Sequence, residues 1–220
     1  KDVTAPKIDT IKSSKNFQTN VTQRVFNFHF DEFVQVKDVV KQVLVSPPLV
    51  YIPKLKVRGK EVEFSFNEKE VLKENTTYIV NFGEAISDFN EGNKLKNYKL
   101  VFSTGAIIDS LELNGKVLDE NDKPVKDILV MLYDVLNDTI ITKKKPYYYT
   151  KTNEKGEYHF QNIKNDTFKI IALKDENSNL LYNEINESIG FIERNIQWDS
   201  TTIVSQNLTI SKAEITFKVI

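Results

Sequence analysis

The stretch from Leu113 to Asp175 constrains the fold most, because short apolar segments alternate there with polar turns. One turn lies at Asn121–Pro124, after which an apolar segment runs to Tyr133, and a second turn lies at Asn153–Gly156. Short strands separated by turn residues at this spacing are typical of a small antiparallel β-sandwich. We therefore predict such a sandwich here, a kind of module that is usually structural or binding rather than catalytic.

The first half of the chain shows strict alternation of apolar and polar residues, which predicts strands with one buried face. In the segment 25–30, the three Phe lie on one face of the predicted strand, and Asn27 and His29 lie on the opposite face. The turn Arg58–Lys60 precedes a strand in which apolar residues alternate with Glu61, Glu63 and Ser65. The predicted core-facing residues of this half are Phe26, Phe28, Phe30, Val62, Phe64, Phe66, Tyr78, Val80, Phe82, Leu100 and Phe102.

The predicted fold class is all-β, with two tandem antiparallel β-sandwiches. The 220 residues suit two such modules of about 100 residues each. The segment Ser103–Gly105 closes the first set of strands, so we predict domains at 1–106 and 107–220. At most a short helical turn is expected near Glu68–Lys73. Closing strands of the second domain are predicted from apolar residues at Ile203, Leu208, Ile210, Ile215, Phe217 and Val219.

Composition excludes several classes of function. The formal net charge is −1, so the chain has no overall basic field with which to bind nucleic acid. The absence of cysteine excludes disulfides, thiolate nucleophiles and cysteine-ligated zinc. No G-x-G phosphate loop is present, and no apolar run approaches the roughly 20 residues that span a bilayer. The densest basic run, Lys143–Lys145, is expected to be a solvated loop tip.

A set of short motifs across residues 4–105 resembles the bacterial Ig-like domain of the S-layer type, in the form common in Bacteroidota envelope lipoproteins. The motifs that carry the resemblance are Phe28–Val34, Leu72–Tyr78, Asn81–Phe82, Ile86–Asp88, Glu91–Asn93 and Phe102–Gly105. This resemblance implies an Ig-like β-sandwich in which the polar residues of these motifs belong to turns and loops.

The stretch from Leu113 to Leu173 resembles the carboxypeptidase-regulatory-like, prealbumin-like and Cna-B-type sandwiches, through Gly115–Val117 and Thr152–Tyr158. The order of the two modules is similar to that of outer-membrane lipoproteins of Bacteroidota. The resemblance implies a non-enzymatic protein of the cell envelope that acts as a structural or docking subunit of an outer-membrane-associated assembly. Its implied partners are other envelope proteins. Membrane attachment would require a lipidated N-terminal cysteine, which this chain lacks.

The segment from Asp175 to Glu187 is the best candidate for a metal site, because oxygen-bearing side chains recur at alternate positions. Calcium takes six to eight hard oxygen ligands. Leu180 stands where such loops prefer glycine, and Asn186 stands where a bidentate Glu is expected. The alternative is a polar loop closed by hydrogen bonds from side chains to the backbone. The candidate calcium ligands are Asp175, Asn177, Asn179, the Leu181 carbonyl, Asn183, Glu184 and Glu187.

Aromatic residues give a second hypothesis, a carbohydrate-binding module. Tyr147, Tyr148 and Tyr149 follow Pro146, and Trp198 is the single tryptophan of the chain. Tyrosine and tryptophan rings present large apolar faces with a polar tip, which suit stacking on sugars and contact with protein partners. The alternative is that these rings pack within the sandwich and leave only one tyrosine exposed.

The remaining polar candidates carry weaker signals. Asp31 and Glu32 form an acidic pair that could act in glycoside hydrolysis only at a suitable separation, so a hydrolase is the third hypothesis. His29 and His159 lie in different predicted domains, which argues against a shared metal or catalytic cluster. Three Asp-Ser/Thr-aliphatic triplets resemble the O-glycosylation acceptor pattern of Bacteroidota envelope proteins, although they also arise by chance. Their acceptor hydroxyls are those of Thr10, Ser110 and Thr139.

Overall fold

The computed structural model describes residues 2–96, 98–184, 186–199 and 201–212, and it confirms the all-β prediction. It separates into two compact units, residues 1–108 and 109–220. One short α-helix, α1 (Val39–Gln42), and one 3₁₀ helix (Asp138–Thr142) interrupt the strands. In the described ranges, no helix has the length and apolar character that crossing a membrane requires.

The first unit contains eight strands in two three-stranded sheets and a two-stranded ribbon. The sheets have the orders β1-β5-β4 and β3-β6-β8, and β2 pairs with β7, all antiparallel. The strands are β1 (Val25–His29), β2 (Val34–Val36), β3 (Leu44–Ser46), β4 (Lys54–Arg58), β5 (Glu61–Ser65), β6 (Thr77–Asn81), β7 (Ile86–Asp88) and β8 (Lys99–Ser103).

The core of the first unit is built from the residues that the alternation pattern marked. All eleven predicted core-facing residues, from Phe26 to Phe102, are buried. Phe26 of one sheet contacts Phe102 of the other, with ring centroids 5.1 Å apart, and Phe102 stacks on Tyr78 at 5.4 Å. Aromatic pairs at these separations stabilise the core beyond the area they bury. Asn27 and His29 are only half-buried, as the alternation requires.

Within its described residues, the second unit has nine strands in two sheets. One sheet has the order β11-β10-β13-β14-β17, and the other has the order β12-β9-β15, with β16 also pairing with β9. The strands are β9 (Leu111–Leu118), β10 (Leu129–Tyr133), β11 (Tyr148–Lys151), β12 (Glu157–Ile163), β13 (Lys169–Leu173), β14 (Ser188–Phe191), β15 (Ile203–Ser205), β16 (Leu208–Thr209) and β17 (Ser211–Lys212).

The central strands β10 and β13 are buried along their whole length. Loops cover one face of their sheet, since Ile140 and Ile141 of the 3₁₀ helix belong to a cluster with residues of β10 and β13. Leu180 and Tyr182, from the loop before β14, pack against the same cluster. The backbone N–H of Tyr182 donates to the carbonyl of Ile141 at 2.9 Å, which joins the two covering segments.

Three expectations from the sequence differ from the structure or fall outside the described residues. Residues 68–69 form a turn and residues 70–73 belong to no regular element, so no helical turn forms there, and the described α-helix is α1. The second unit is not purely antiparallel, because β15 and β16 both pair parallel to β9. Of the predicted closing residues, Ile203 and Leu208 lie in strands, whereas Ile215, Phe217 and Val219 fall outside the described residues.

Candidate functional site

The segment 175–187, predicted to hold calcium, is organised by a fully buried carboxylate. Glu187 accepts backbone N–H donors from Glu176 at 3.3 Å and from Asn183 and Glu184 at 3.1 Å each. Hydrogen bonds to a charged acceptor are among the stronger ones in proteins. This carboxylate therefore ties both ends of the loop together from the inside.

The other predicted calcium ligands also serve as acceptors for protein donors. Asp175 accepts the N–H of Leu180 at 2.9 Å, and the side-chain oxygen of Asn179 accepts the N–H of Leu181 at 2.7 Å. The Asn177 side chain donates to that of Asn183 at 3.1 Å.

Within the described ranges, no group of three or more His, Asp or Glu side chains could hold a metal ion. The loop thus follows the alternative of side-chain hydrogen bonds to the backbone. The calcium site formed by Asp175, Asn177, Asn179, the Leu181 carbonyl, Asn183, Glu184 and Glu187 stays a prediction.

The aromatic residues predicted to bind carbohydrate do not form an exposed platform. Tyr148 is buried in β11, and desolvation raises the pKa of its phenol above the usual range. Trp198 is also buried, and its indole N–H donates to the Glu112 carbonyl at 2.9 Å. Neither ring is accessible to a sugar, which removes both from the predicted binding set. Tyr147 and Tyr149 are half-buried.

Tyr147 lies beside a small charged cluster centred on Lys164. The Lys164 ammonium lies 4.3 Å from the Tyr147 ring centroid and forms ion pairs with Asp166 at 2.8 Å and Asp134 at 3.7 Å. Partial burial alone would lower the pKa of Lys164, but its anionic and aromatic neighbours raise it above the ordinary value. The lysine therefore stays charged at physiological pH, and its three neighbours hold it in place.

Asp88 and Asp31 of the first unit accept hydrogen bonds from backbone N–H groups of loops. Asp88 is buried and accepts backbone N–H donors from Glu91 at 2.6 Å, Gly92 at 3.0 Å and Asn93 at 2.6 Å. Burial tends to raise the pKa of Asp88, but these donors lower it below its ordinary value. Asp31 likewise accepts the N–H of Lys7 at 2.8 Å. These carboxylates fix loops.

Glu32 behaves differently from its neighbours. Desolvation, followed by the nearby charges of Asp88, Asp31, Asp2 and Glu91, raises its pKa. The end of the first unit around Glu32 therefore carries a concentration of negative charge.

The two histidines lie in different units, and each sits beside one glutamate. His29 lies 3.9 Å from Glu61, and His159 lies 2.7 Å from Glu112. Both pairs join neighbouring strands on a sheet surface. They form no common site. The hydroxyl-bearing residues predicted for O-glycosylation, Thr10, Ser110 and Thr139, are all exposed, and their modification stays a prediction.

A buried glutamate that the sequence does not single out organises an exposed apolar surface of the first unit. The Glu70 carboxylate accepts the N–H of Val50 at 3.2 Å and that of Tyr51 at 2.7 Å. Val50, Ile52 and Val71 are 82%, 61% and 84% exposed. We call Val50, Tyr51, Ile52 and Val71 the Glu70 surface. No periodic pattern marks it, since the two loops meet only in the folded chain.

The comparisons with known proteins agree with the architecture of the first unit. Residues 2–104 match the family model of the bacterial Ig-like domain. The eight strands and both sheets of the first unit fall within this match. The prediction of an Ig-like domain in the first half is thereby confirmed, whereas the Bacteroidota lipoprotein assignment stays a prediction. No curated protein shows a significant match to this chain.

Several solved structures of pilus proteins show a distant likeness. The major pilin subunit of Bacillus cereus is 10% identical, with 94% of this chain and 71% of the pilin covered and a TM-score of 0.32. The group B streptococcus pilus 2b backbone protein is 10% identical, with coverages of 95% and 98% and a TM-score of 0.29. A streptococcal ancillary pilin is 9% identical, with coverages of 72% and 50% and a TM-score of 0.30. Likenesses at these scores do not establish a shared fold or function.

Proposed function

We propose that this chain is a non-enzymatic structural protein of the cell envelope, which docks onto another envelope protein through the Glu70 surface. The observation that carries the proposal is that four apolar or aromatic residues protrude on loops held by a buried carboxylate. Exposed apolar side chains in a cluster favour a protein contact, since burying them on association removes them from water.

The Glu70 surface is held rigidly by further hydrogen bonds. The Arg24 guanidinium donates to the Asn67 carbonyl and, at 2.8 Å, to the Glu70 carbonyl. The side chain of Glu70 therefore fixes the loop at Val50 and Tyr51. The backbone carbonyl of Glu70 is in turn bound by Arg24, which directly precedes β1. A loop that is already ordered loses less conformational entropy on binding, which favours association.

The finer assignment, a docking subunit of an outer-membrane-associated assembly, is supported by the Bacteroidota-type motifs of the first half and by the bacterial Ig-like match. Outer-membrane and other envelope proteins are the proposed partners. The proposed location is the cell envelope, in association with the outer membrane. We propose no glycan-binding function, because Tyr148 and Trp198 are buried.

Site-specific photocross-linking in cells tests the proposal. A photoreactive amino acid at position 52 should give one discrete cross-linked product in the envelope fraction. The same group at position 40 provides the control, because Val40 is 71% exposed in the same unit but lies outside the Glu70 surface. Equal labelling from both positions, or no product from position 52, would contradict docking through this surface.

The Glu70→Gln variant tests the role of the buried carboxylate. An amide keeps only one acceptor oxygen, so one of the two loop N–H donors loses its partner. We expect weaker cross-linking from position 52 while the unit remains folded, as measured by circular dichroism. Unchanged cross-linking in a variant whose loop has become mobile would show that order in the loop is not needed.

A further inference from the structure

The ribbon of β2 and β7 ends in two exposed phenylalanines. Val34 pairs with Asp88, so Phe33 and Phe89 are the next cross-strand neighbours, and the N–H of Phe89 donates to the Phe33 carbonyl at 2.9 Å. Phe33 is 58% exposed and Phe89 is 64% exposed. Val34 and Asp88 are buried, and because side chains alternate along a strand, the two rings point to the opposite face.

Negative charge surrounds these two rings. Asp31 and Glu32 precede Phe33, and Glu91 follows Phe89 closely in the chain. Across the described ranges, no Lys or Arg side chain forms an ion pair with Asp31, Glu32 or Glu91. The Lys60 ammonium lies 5.8 Å from the Phe33 ring centroid and donates to the Asp31 backbone carbonyl at 2.7 Å. We call Phe33, Phe89, Asp31, Glu32 and Glu91 the aromatic–acidic surface.

The connection between β10 and β11 in the second unit carries exposed apolar and basic residues, and its two aspartates, Asp134 and Asp138, are ion-paired with Lys164 and Lys169. Val135, Leu136 and the run Lys143–Lys145 are all exposed there. These residues form the basic loop surface. Within the part of the chain that the structure describes, none of the three lysines has an ion-pair partner.

Buried residues of the same loop anchor the basic loop surface to the sheet that contains β10 and β13. Ile140 and Ile141, between its apolar and basic parts, are buried against β10 and β13. The N–H groups of Lys143 and Lys144 donate to the Ile140 carbonyl at 3.0 Å. The apolar and basic side chains are therefore presented together on an ordered loop, as the aromatic–acidic surface is on its ribbon.

From this complementarity we infer that the chain associates head to tail with a second copy of itself, the aromatic–acidic surface of one copy contacting the basic loop surface of the next. Each surface pairs exposed apolar side chains with unpaired charges, and the charges are opposite. Lysine over the face of a phenylalanine ring adds a cation–π attraction. Because the two contacting surfaces differ, each added copy leaves one of each kind unused, and association can continue beyond a dimer.

Analytical ultracentrifugation of the 220-residue chain tests the inference. In 150 mM NaCl, the weight-average mass should rise with concentration beyond twice the 25.4 kDa of one chain. In 1 M NaCl, where the screening length is about 3 Å, association should weaken strongly. A mass that stays at one chain over the whole concentration range would overturn the inference, and so would a closed dimer that salt does not affect.

Two variants distinguish this contact from non-specific hydrophobic association. Replacing Phe33 and Phe89 by alanine should weaken association by about tenfold or more, as the loss of central aromatic residues at interfaces does. Phe17→Ala is the matched control, because Phe17 is also 58% exposed in the first unit. An equal loss in the control would refute the assignment of the contact to the aromatic–acidic surface.

A charge exchange provides the sharpest test. Chains with Glu32→Lys and Glu91→Lys should remain monomeric, and so should chains with Lys143, Lys144 and Lys145 all changed to Glu. Mixing the two variants should restore association, because each then presents a surface opposite in charge to one on the other. A mixture that stays monomeric, while Lys123→Glu chains still associate, would refute the proposed pairing. Docking through the Glu70 surface uses other residues, so neither result bears on that proposal.

Discussion

Glu187→Gln should destabilise the second unit strongly although it changes only one atom of the side chain. The amide can turn its oxygen toward the N–H groups of Asn183 and Glu184 and keep those two bonds. Its NH₂ group then faces the N–H of Glu176, at a position where the carboxylate oxygen accepts at 3.3 Å. One charge-assisted bond is lost and a donor is left unpaired, which costs about 2–4 kcal/mol of unfolding free energy at pH 7.

Tryptophan fluorescence measures this effect in the second unit alone, because Trp198 is the single tryptophan and is buried there. With a urea dependence of about 2 kcal/mol per molar, the unfolding midpoint should fall by about 1–2 M. Glu184→Gln is the control, since Glu184 is exposed, and it should change stability by no more than about 0.5 kcal/mol. Equal, small effects of the two substitutions would refute the role given to Glu187.

Three further predictions concern the core, the pH dependence and calcium. Phe28→Ala should cost about 3–5 kcal/mol in urea unfolding, whereas the half-buried His29→Ala should cost far less, and equal costs would mean that the strand faces are wrong. The folded-state pKa of Asp88 lies below its ordinary value of 3.8, so the folding stability that Asp88 contributes is present above pH 3.8 and is lost as the pH falls through the folded pKa. The acid unfolding of Asp88→Asn should lack this dependence. An unchanged acid transition in the variant would contradict the prediction. Adding 10 mM calcium should leave the melting temperature of the second unit unchanged, and a rise of several degrees would support the calcium hypothesis.

The strands β1, β5, β6 and β8 of the first unit could be predicted because apolar and polar residues alternate along them and their apolar faces are buried. The turn at Asn153–Gly156 was also predictable, and it forms with Gly156 at φ +69°, a conformation that glycine adopts without strain. The short strands β2, β3 and β7 have only three residues each, too few for a period to be visible. The parallel pairing of β15 and β16 with β9 depends on contacts distant in sequence, which local patterns do not encode.

The loop carboxylates mark the limit of what the sequence could show about function. In the printed sequence, Glu70 resembles any surface glutamate, and Glu187 was predicted to be a calcium ligand rather than a buried acceptor, because charged residues are almost never fully buried unless they are paired. Their partners are backbone N–H groups of other loop segments, which come into reach only after folding. The burial of Trp198 could not be predicted for a related reason, because the segment around it shows no periodic pattern of apolar residues.

The pairing of β15 and β16 with β9 has a consequence for the order in which the protein acquires its structure. The first strand of the second unit, β9, pairs with β12 on one edge, but its other edge takes partners from residues 203–209 and stays unpaired until those residues have left the ribosome. The strands of the first unit all lie before residue 104 and can pair earlier during synthesis. A nascent chain stalled after residue 195 should therefore carry one protease-resistant unit and one unfolded one.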